Sequence, residues 1–145
     1  MKTTVHKLWP FGWLRVIRNG NGDYIDRFSL RAQSAKTGGG WRVYLHRFHQ
    51  SDAELHNHPW KWAFSIVLKG SYLEERQGKK TRLVRWFNFI RSTDFHRIAE
   101  LSDGEVLTLF VAGPLHGKGW GFLVPERGYV DAFERFKEHE TTLQK

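Results

Sequence analysis

The sequence predicts an all-β fold closed by one short α-helix near the C-terminus. Three observations carry this. Glycine-rich turns recur along the chain, runs of β-branched and aromatic residues lie between them, and helical spacing occurs in one place. The turns are NGNGD (Asn19 to Asp23), KTGGG (Lys36 to Gly40), RQGKK (Arg76 to Lys80), LSDGE (Leu101 to Glu105) and HGKG (His116 to Gly119). Many short strands at such spacing belong to β-sandwiches and barrels.

In chain order, strands are expected at Trp13–Ile17, Tyr24–Leu30, Trp41–Phe48, Ala63–Leu68, Ser71–Glu75, Thr81–Phe89, His96–Ala99, Val106–Val111 and Gly121–Val124. NGNGD reads as the hairpin turn between the first two. In PERGYVDAFERFKEHE, residues Tyr129, Val130, Phe133, Phe136 and Lys137 recur at helical spacing. That amphipathic helix is expected to cover an open edge or face of the sheets, with Phe133 and Phe136 seated on them.

The chain has 145 residues with no repeat or linker, so one domain over 1–145 is expected. It contains no cysteine, which removes disulfides, thiolate metal sites and a cysteine nucleophile together, and suits the cytoplasm. Its first residues hold no apolar stretch long enough for a signal peptide or a membrane span. The net charge is +8 and the pI about 10.0, compatible with nucleic acid, an anionic surface, an acidic ligand or simply a solvated surface. The seven tryptophans fill a core or line an apolar pocket.

The segment LHNHPW places His56 and His58 two residues apart, just before a buried apolar run. Residues i and i+2 of an extended chain point to one side, with Cα atoms about 6.5–7 Å apart. Two such imidazoles can converge on one ion, at about 2.0–2.1 Å in the case of zinc. Pro59 lacks an N–H and ends regular pairing beside the second histidine. Alone, the pair also fits a polar loop that happens to hold two imidazoles.

The order LHNHPW, buried strand, LKGSY, hairpin, then FHRIAEL resembles the cupin superfamily, the RmlC-like β-barrels. The resemblance spans roughly Trp41 to Val111. The HNHPW core and the later WGF (Trp120, Gly121, Phe122) also resemble small single-domain bacterial and phage cupins. It implies a double-stranded β-helix barrel with the C-terminal helix outside. It also implies a metal site inside the barrel, built from His56 and His58 of a first motif that closes at Gly70, and His96 of a second. The chain departs from the family pattern in two places. Ala63 or Trp62 stands where a glutamate ligand is usual, and Arg91, Thr93 and Glu100 replace the second motif's proline, glycine and asparagine. Some cupins without the glutamate hold a metal with three histidines, as thiol dioxygenases do; others lose the metal and keep the barrel as a binding or epimerase scaffold.

The site expected from the resemblance is a divalent ion on His56, His58 and His96, with ferrous iron favoured and zinc, nickel or manganese as alternatives. Strand parity in WRVYLHRFH puts Arg47 on the face of Val43 and Leu45. If those aliphatic side chains point inward, Arg47 faces the cavity and meets an anionic group; otherwise it pairs with Asp52 or Glu54 at the strand end. Trp60, Trp62 and Trp86, with Phe64, are candidate pocket walls. Asp94 is a candidate fourth ligand or a turn acid, Lys61 sits at the pocket mouth or in solvent, and His46, His49 and His116 are surface or supporting groups.

Three functional readings follow. The first is a metal-dependent, oxygenase-type enzyme acting on a small anionic molecule. The second is a non-catalytic ligand- or metal-binding cupin, or a metal-free isomerase type using His56 or His96 with Tyr72. The third and weakest is a nucleic-acid-binding barrel, since KKTRLVRWFNFIR reads mainly as barrel wall through Leu83, Val84, Phe87 and Ile90. A homodimer is compatible with each, and no membrane partner is expected.

Overall fold

The computed structural model describes residues 2–8, 12–19, 22–29 and 40–142. Its strands are β1 (Lys2–Leu8), β2 (Gly12–Asn19), β3 (Gly22–Ser29), β4 (Arg42–Phe48), β5 (Leu55–His56), β6 (Trp62–Lys69) and β7 (Tyr72–Arg76). They continue with β8 (Arg82–Val84), β9 (Phe87–Arg91), β10 (His96–Leu101), β11 (Val106–Ala112), β12 (Gly121–Val124) and β13 (Gly128–Asp131), followed by the helix α1 (Ala132–Thr142). Two antiparallel sheets result, one in the order β1-β2-β3-β4-β11-β6-β9 and one in the order β13-β12-β5-β10-β7-β8. The fold is all-β with one short helix, as expected from the turns and strand runs.

Period-two alternation sets the inner face. In β11, Val106, Thr108, Phe110 and Ala112 are buried while the residues between them are half-exposed. In β6 the buried set is Ala63, Ser65 and Val67. Two apolar clusters flank the interior. Trp60, Ala63, Ile90, Phe110 and Ala112 form one; Val67, Tyr72, Val84, Ile98 and Val106 form the other. Gly70 turns the chain between β6 and β7 at φ +77°, and a Cβ there would lie 2.9 Å from the Glu105 carbonyl oxygen.

Several elements differ from expectation. Strand β1 is additional: its polar sequence KTTVHKL lacks a strand signature and is held by pairing with β2. Leu30, assigned to a strand above, lies outside the described residues, as does most of the KTGGG turn. The expected strand Thr81–Phe89 is two strands, because the chain crosses between sheets at Arg85 and Trp86: β8 pairs with β7, and β9 with β6. Consequently Val84 and Ile90 are buried, but Leu83 and Phe87 face outward, 48% and 64% exposed.

At the C-terminus, Tyr129 and Val130 belong to β13, paired with β12, and not to the helix. Asp131 caps the helix by accepting a 2.9 Å hydrogen bond from the Phe133 amide. Phe136 packs against Trp120 and Phe122, at ring-centroid distances of 5.9 and 5.8 Å. Phe133 does not seat on the sheets; it is exposed, with the Lys137 ammonium 4.4 Å above its ring. Arg135 instead anchors the helix, donating from Nε to Glu54 at 3.0 Å. Among the described residues no helix is long and apolar enough to cross a membrane.

Candidate metal centre and ligand cavity

A cavity of about 520 Å³ opens between the sheets. Its wall includes His56, His58 and His96 on one side and Arg27, His46 and Thr108 on the other. The two-residue strand β5 puts His56 directly opposite His96 of β10 on one flank and Phe122 of β12 on the other. Asn57 then turns its side chain the other way. Its Oδ1 accepts from the Gly121 amide at 2.8 Å, and its Nδ2 donates to the Ser92 carbonyl at 3.2 Å. This explains the asparagine between the two histidines: it ties the loop to both flanking segments while the imidazoles face the cavity. Gly121 permits the close approach, since a Cβ there would lie 2.2 Å from the Val130 carbonyl oxygen. His116 braces the loop from outside. Its Nδ1 accepts from the Lys118 amide at 3.0 Å, so the proton sits on Nε2 and is donated to the His58 carbonyl at 3.1 Å.

The ligating nitrogens of His56, His58 and His96 all lie within 4.8 Å of one another. His58 Nε2 and His96 Nε2 are 2.9 Å apart. His96 Nδ1 is 2.9 Å from a Glu74 carboxylate oxygen, which can only accept, so Nδ1 carries a proton; in the neutral ring this leaves the lone pair on Nε2. His56 Nδ1 donates to the Glu54 carbonyl at 3.3 Å, which likewise frees its Nε2. Two imidazole nitrogens this close need a proton or a cation between them. Adjacent ligands of one ion at about 2.1 Å lie about 3.0–3.4 Å apart, from octahedral to tetrahedral geometry, so these residues fit a divalent metal. Burial lowers the pKa of His56 and His58, His58 more strongly, and the neighbouring imidazoles lower it further. Both are therefore neutral, as a metal ligand must be.

Beneath His96 lies a closed polar network that the sequence did not reveal. Glu74 is fully buried. Its Oε1 accepts from His96 and from Asn88 Nδ2 (2.6 Å), and its Oε2 accepts from Arg76 Nε (3.0 Å) and Arg82 Nε (2.8 Å). Asn88 Oδ1 accepts from both arginines, while its Nδ2 also donates to the Tyr72 hydroxyl at 3.1 Å. Burial alone would raise the Glu74 pKa, but the hydrogen bonds from His96, Arg76 and Asn88 outweigh it and hold the carboxyl well below the usual range. A carboxylate on the outer nitrogen of a ligating histidine fixes its tautomer and raises its basicity.

The opposite wall is different. Arg27 Nε donates to His46 Nε2 at 3.0 Å, and the Arg27 guanidinium lies 5.3 Å from the Tyr44 ring centroid. Burial, then the charge of Arg27, holds the His46 pKa well below its ordinary value. Asp52 also lines the cavity, but its oxygens are committed to the Tyr24 hydroxyl and to the Ile98 amide, the latter at 2.7 Å.

Of the sequence candidates, His56, His58 and His96 come together, and Trp60 joins them, stacked on His58 at 5.4 Å between centroids. Arg47 does not face the cavity. It is exposed and paired with Glu105 at 2.7 Å, because the inner face of β4 is Tyr44, His46 and Phe48 while Val43 and Leu45 point outward. Trp62 also lies outside, edge-on to Trp41 at 5.3 Å and packed over Gly113. Trp86 is 77% exposed at the crossing between sheets. Phe64 stacks on Phe87 on the outer face. Lys61 is exposed, and His49 pairs with Asp26 at 3.0 Å. Asp94 is outside the histidine cluster; it accepts from Arg76 and from the Arg91 amide as a turn acid. His46, expected as a surface or supporting group, is buried in the cavity wall. The missed residues are Glu74, Asn88, Arg27 and Thr108. The available signal was parity: Tyr72, Glu74 and Arg76 alternate on one face of one strand.

No family model matches the chain, and no curated protein matches it. Solved structures do. A cupin-like protein from Thermotoga maritima is 20% identical with a TM-score of 0.57, covering 82% of this chain and 86% of that one. A cupin-2 domain protein from Rhodospirillum rubrum is 14% identical with a TM-score of 0.59, covering 86% and 84%. HppE in its Fe(II) form is 15% identical with a TM-score of 0.55, covering 77% of this chain and 64% of its own length. At these identities the likeness is one of fold.

Proposed function

We propose that this chain, which has the cupin fold, holds one divalent metal ion on His56, His58 and His96 and is a metal-dependent, oxygenase-type enzyme acting on a small anionic molecule. The observation that carries this reading is the convergence of three imidazoles on the wall of a cavity of about 520 Å³. Likeness to a cupin solved with Fe(II) supports iron as the favoured metal, with zinc, nickel or manganese as alternatives. A divalent ion on three neutral ligands would supply a Lewis acid with open positions for substrate and, for ferrous iron, dioxygen.

The chain's own residues do the rest. Glu74 orients His96 and keeps its Nε2 lone pair on the cavity side. Trp60, Phe110 and Phe122 make the wall beside the histidines apolar and limit water there. Anaerobic reconstitution with ferrous iron, followed by an oxygen-electrode screen of small acids and thiols, tests the reading. Iron-dependent uptake with at least one anionic substrate is expected. Iron bound with no uptake across the panel would reassign the protein to non-catalytic binding.

One specific observation favours a second reading, the metal-free isomerase type. The His96–Glu74 pair resembles an oriented base, and Tyr72 lines the same cavity with its hydroxyl pKa raised to about 12, chiefly by burial. Failure to retain any divalent metal would favour it. On the outer face, Ile66, Leu68, Trp86, Phe87 and Phe89 are exposed beside β9, the last strand of its sheet among the described residues, which supports a homodimer through that edge. Sedimentation checks this; a monomer that instead retains RNA in a salt-sensitive way would assign the face to nucleic acid.

A further inference from the structure

We propose that Arg27, His46 and Thr108 form a carboxylate-binding subsite on the cavity wall away from the three histidines. Four neighbouring strands deliver one row of side chains. Arg15 of β2 is opposite Arg27 of β3, Arg27 is opposite His46 of β4, and His46 is opposite Thr108 of β11. All four residues line the cavity. Two buried polar atoms in this row have no hydrogen-bond partner among the described residues, His46 Nδ1 and Thr108 Oγ1, on side chains only 3% and 1% exposed. Buried polar groups are normally satisfied, so a pair of orphans on a cavity wall points to a ligand that satisfies them.

The chemistry of the missing partner follows from what the row offers. Arg27 can only donate, so the His46 Nε2 that receives its Nε–H bears a lone pair. Neutral His46 then carries its proton on Nδ1, the orphaned atom, and presents a donor. Thr108 offers a hydroxyl. Arg27 has no carboxylate partner among the described residues, and Arg15 adds a like charge beside it. The acids that line the cavity are engaged elsewhere, Asp52 with Tyr24 and the Ile98 amide, Glu54 with Arg135. A cationic, donor-rich wall with no free acid suits a carboxylate, which takes a guanidinium in a fork and accepts further donors. This deepens the reading above by naming the substrate's anionic group, and it depends on the cavity but not on the ion.

The test uses chelator-treated full-length protein and isosteric pairs: acetate and acetamide, propionate and propionamide, benzoate and benzamide, phenylacetate and phenylacetamide. Titration followed by tryptophan fluorescence reads binding, since Trp60 and Trp120 line the cavity. At least one acid is expected to bind tenfold or more tighter than its amide. Arg27→Gln should bring that acid to the level of its amide, while Arg47→Gln, outside the cavity, leaves the preference unchanged. Should Arg27→Gln fail to fold, Thr108→Val decides, with a three- to tenfold loss for the acid and none for the amide. No preference in any pair, a preference that survives Arg27→Gln, an acid unaffected by Thr108→Val, or inorganic phosphate displacing the acid at lower concentration than acetate would each overturn the carboxylate assignment. Metal uptake with no acid preference breaks this inference alone; acid preference without metal uptake breaks only the metal reading.

Discussion

Two polar clusters line opposite sides of one barrel and are built on opposite principles. Around Glu74, every oxygen of a fully buried carboxylate has a donor, and Asn88 and two arginines close the set. Around His46, two buried polar atoms have none among the described residues. A closed network is scaffold: it holds a fixed shape and sets the orientation of His96. An open one has capacity left for something that arrives. The same buried polarity therefore does structural duty around Glu74 and leaves bonding capacity around His46.

The sharpest way to break this contrast is to delete from each side. Glu74→Gln strands Arg76, Arg82 and His96 without their shared anion. We expect a loss of about 3 kcal/mol in urea unfolding, at the low end of the range for broken buried pairs because Arg82 is half exposed. The smaller Thr108→Val change removes a hydroxyl with no hydrogen-bond partner among the described residues, so stability should stay within about 0.5 kcal/mol or rise. Equal losses would dissolve the distinction.

The helix offers a second contrast. Phe136→Ala should cost about 1.5 kcal/mol, because the ring packs on Trp120 and Phe122, whereas Phe133→Ala should leave thermal melting unchanged. A larger loss at Phe133 would contradict the placement of α1.

Acid sharpens the comparison by charge. The folded-state pKa values of His46, His56 and His58 are lowered from 6.5, so the unfolded chain takes up protons first as pH falls. Stability of the metal-free protein is then full above about pH 6.5 and declines below it, by up to about 1.4 kcal/mol per unit for each histidine until its folded value is reached. Unfolding at pH 7.5 and 5.5 checks the sign; greater stability at pH 5.5 would contradict it. Smallest of all is Arg47→Ala, which should leave ligand binding untouched, as read in the same titrations, because its partner is the exposed-face Glu105.

Much of the barrel was legible because glycine turns and period-two alternation are local signals. The histidine pair was legible for the same reason, and His96 through its likeness to a known motif. What escaped was long-range. Glu74 meets His96 across 22 positions of sequence, and parity in YLEER sets Glu74 beside Tyr72 on one face without naming the partners that let the acid be buried. Arg47 misled because aliphatic residues were taken to mark the inside. In this barrel the inner face of β4 is aromatic and polar, as a ligand cavity requires, while Val43 and Leu45 pack outward. Arg27, which does line the cavity, sits in a strand whose sequence DYIDRFS gives no parity signal.

The central claim is that three histidines hold one ion. Elemental analysis of untagged protein, alongside His96→Ala and the triple His56, His58 and His96→Ala variant, tests it most directly. The account predicts one divalent ion per chain in the unaltered protein, a loss of at least about 100-fold in affinity for the single variant, exceeding what supporting residues cost, and none bound in the triple variant. Equal metal content in all three proteins, or none in any of them after reconstitution with iron, zinc, nickel or manganese, would contradict it.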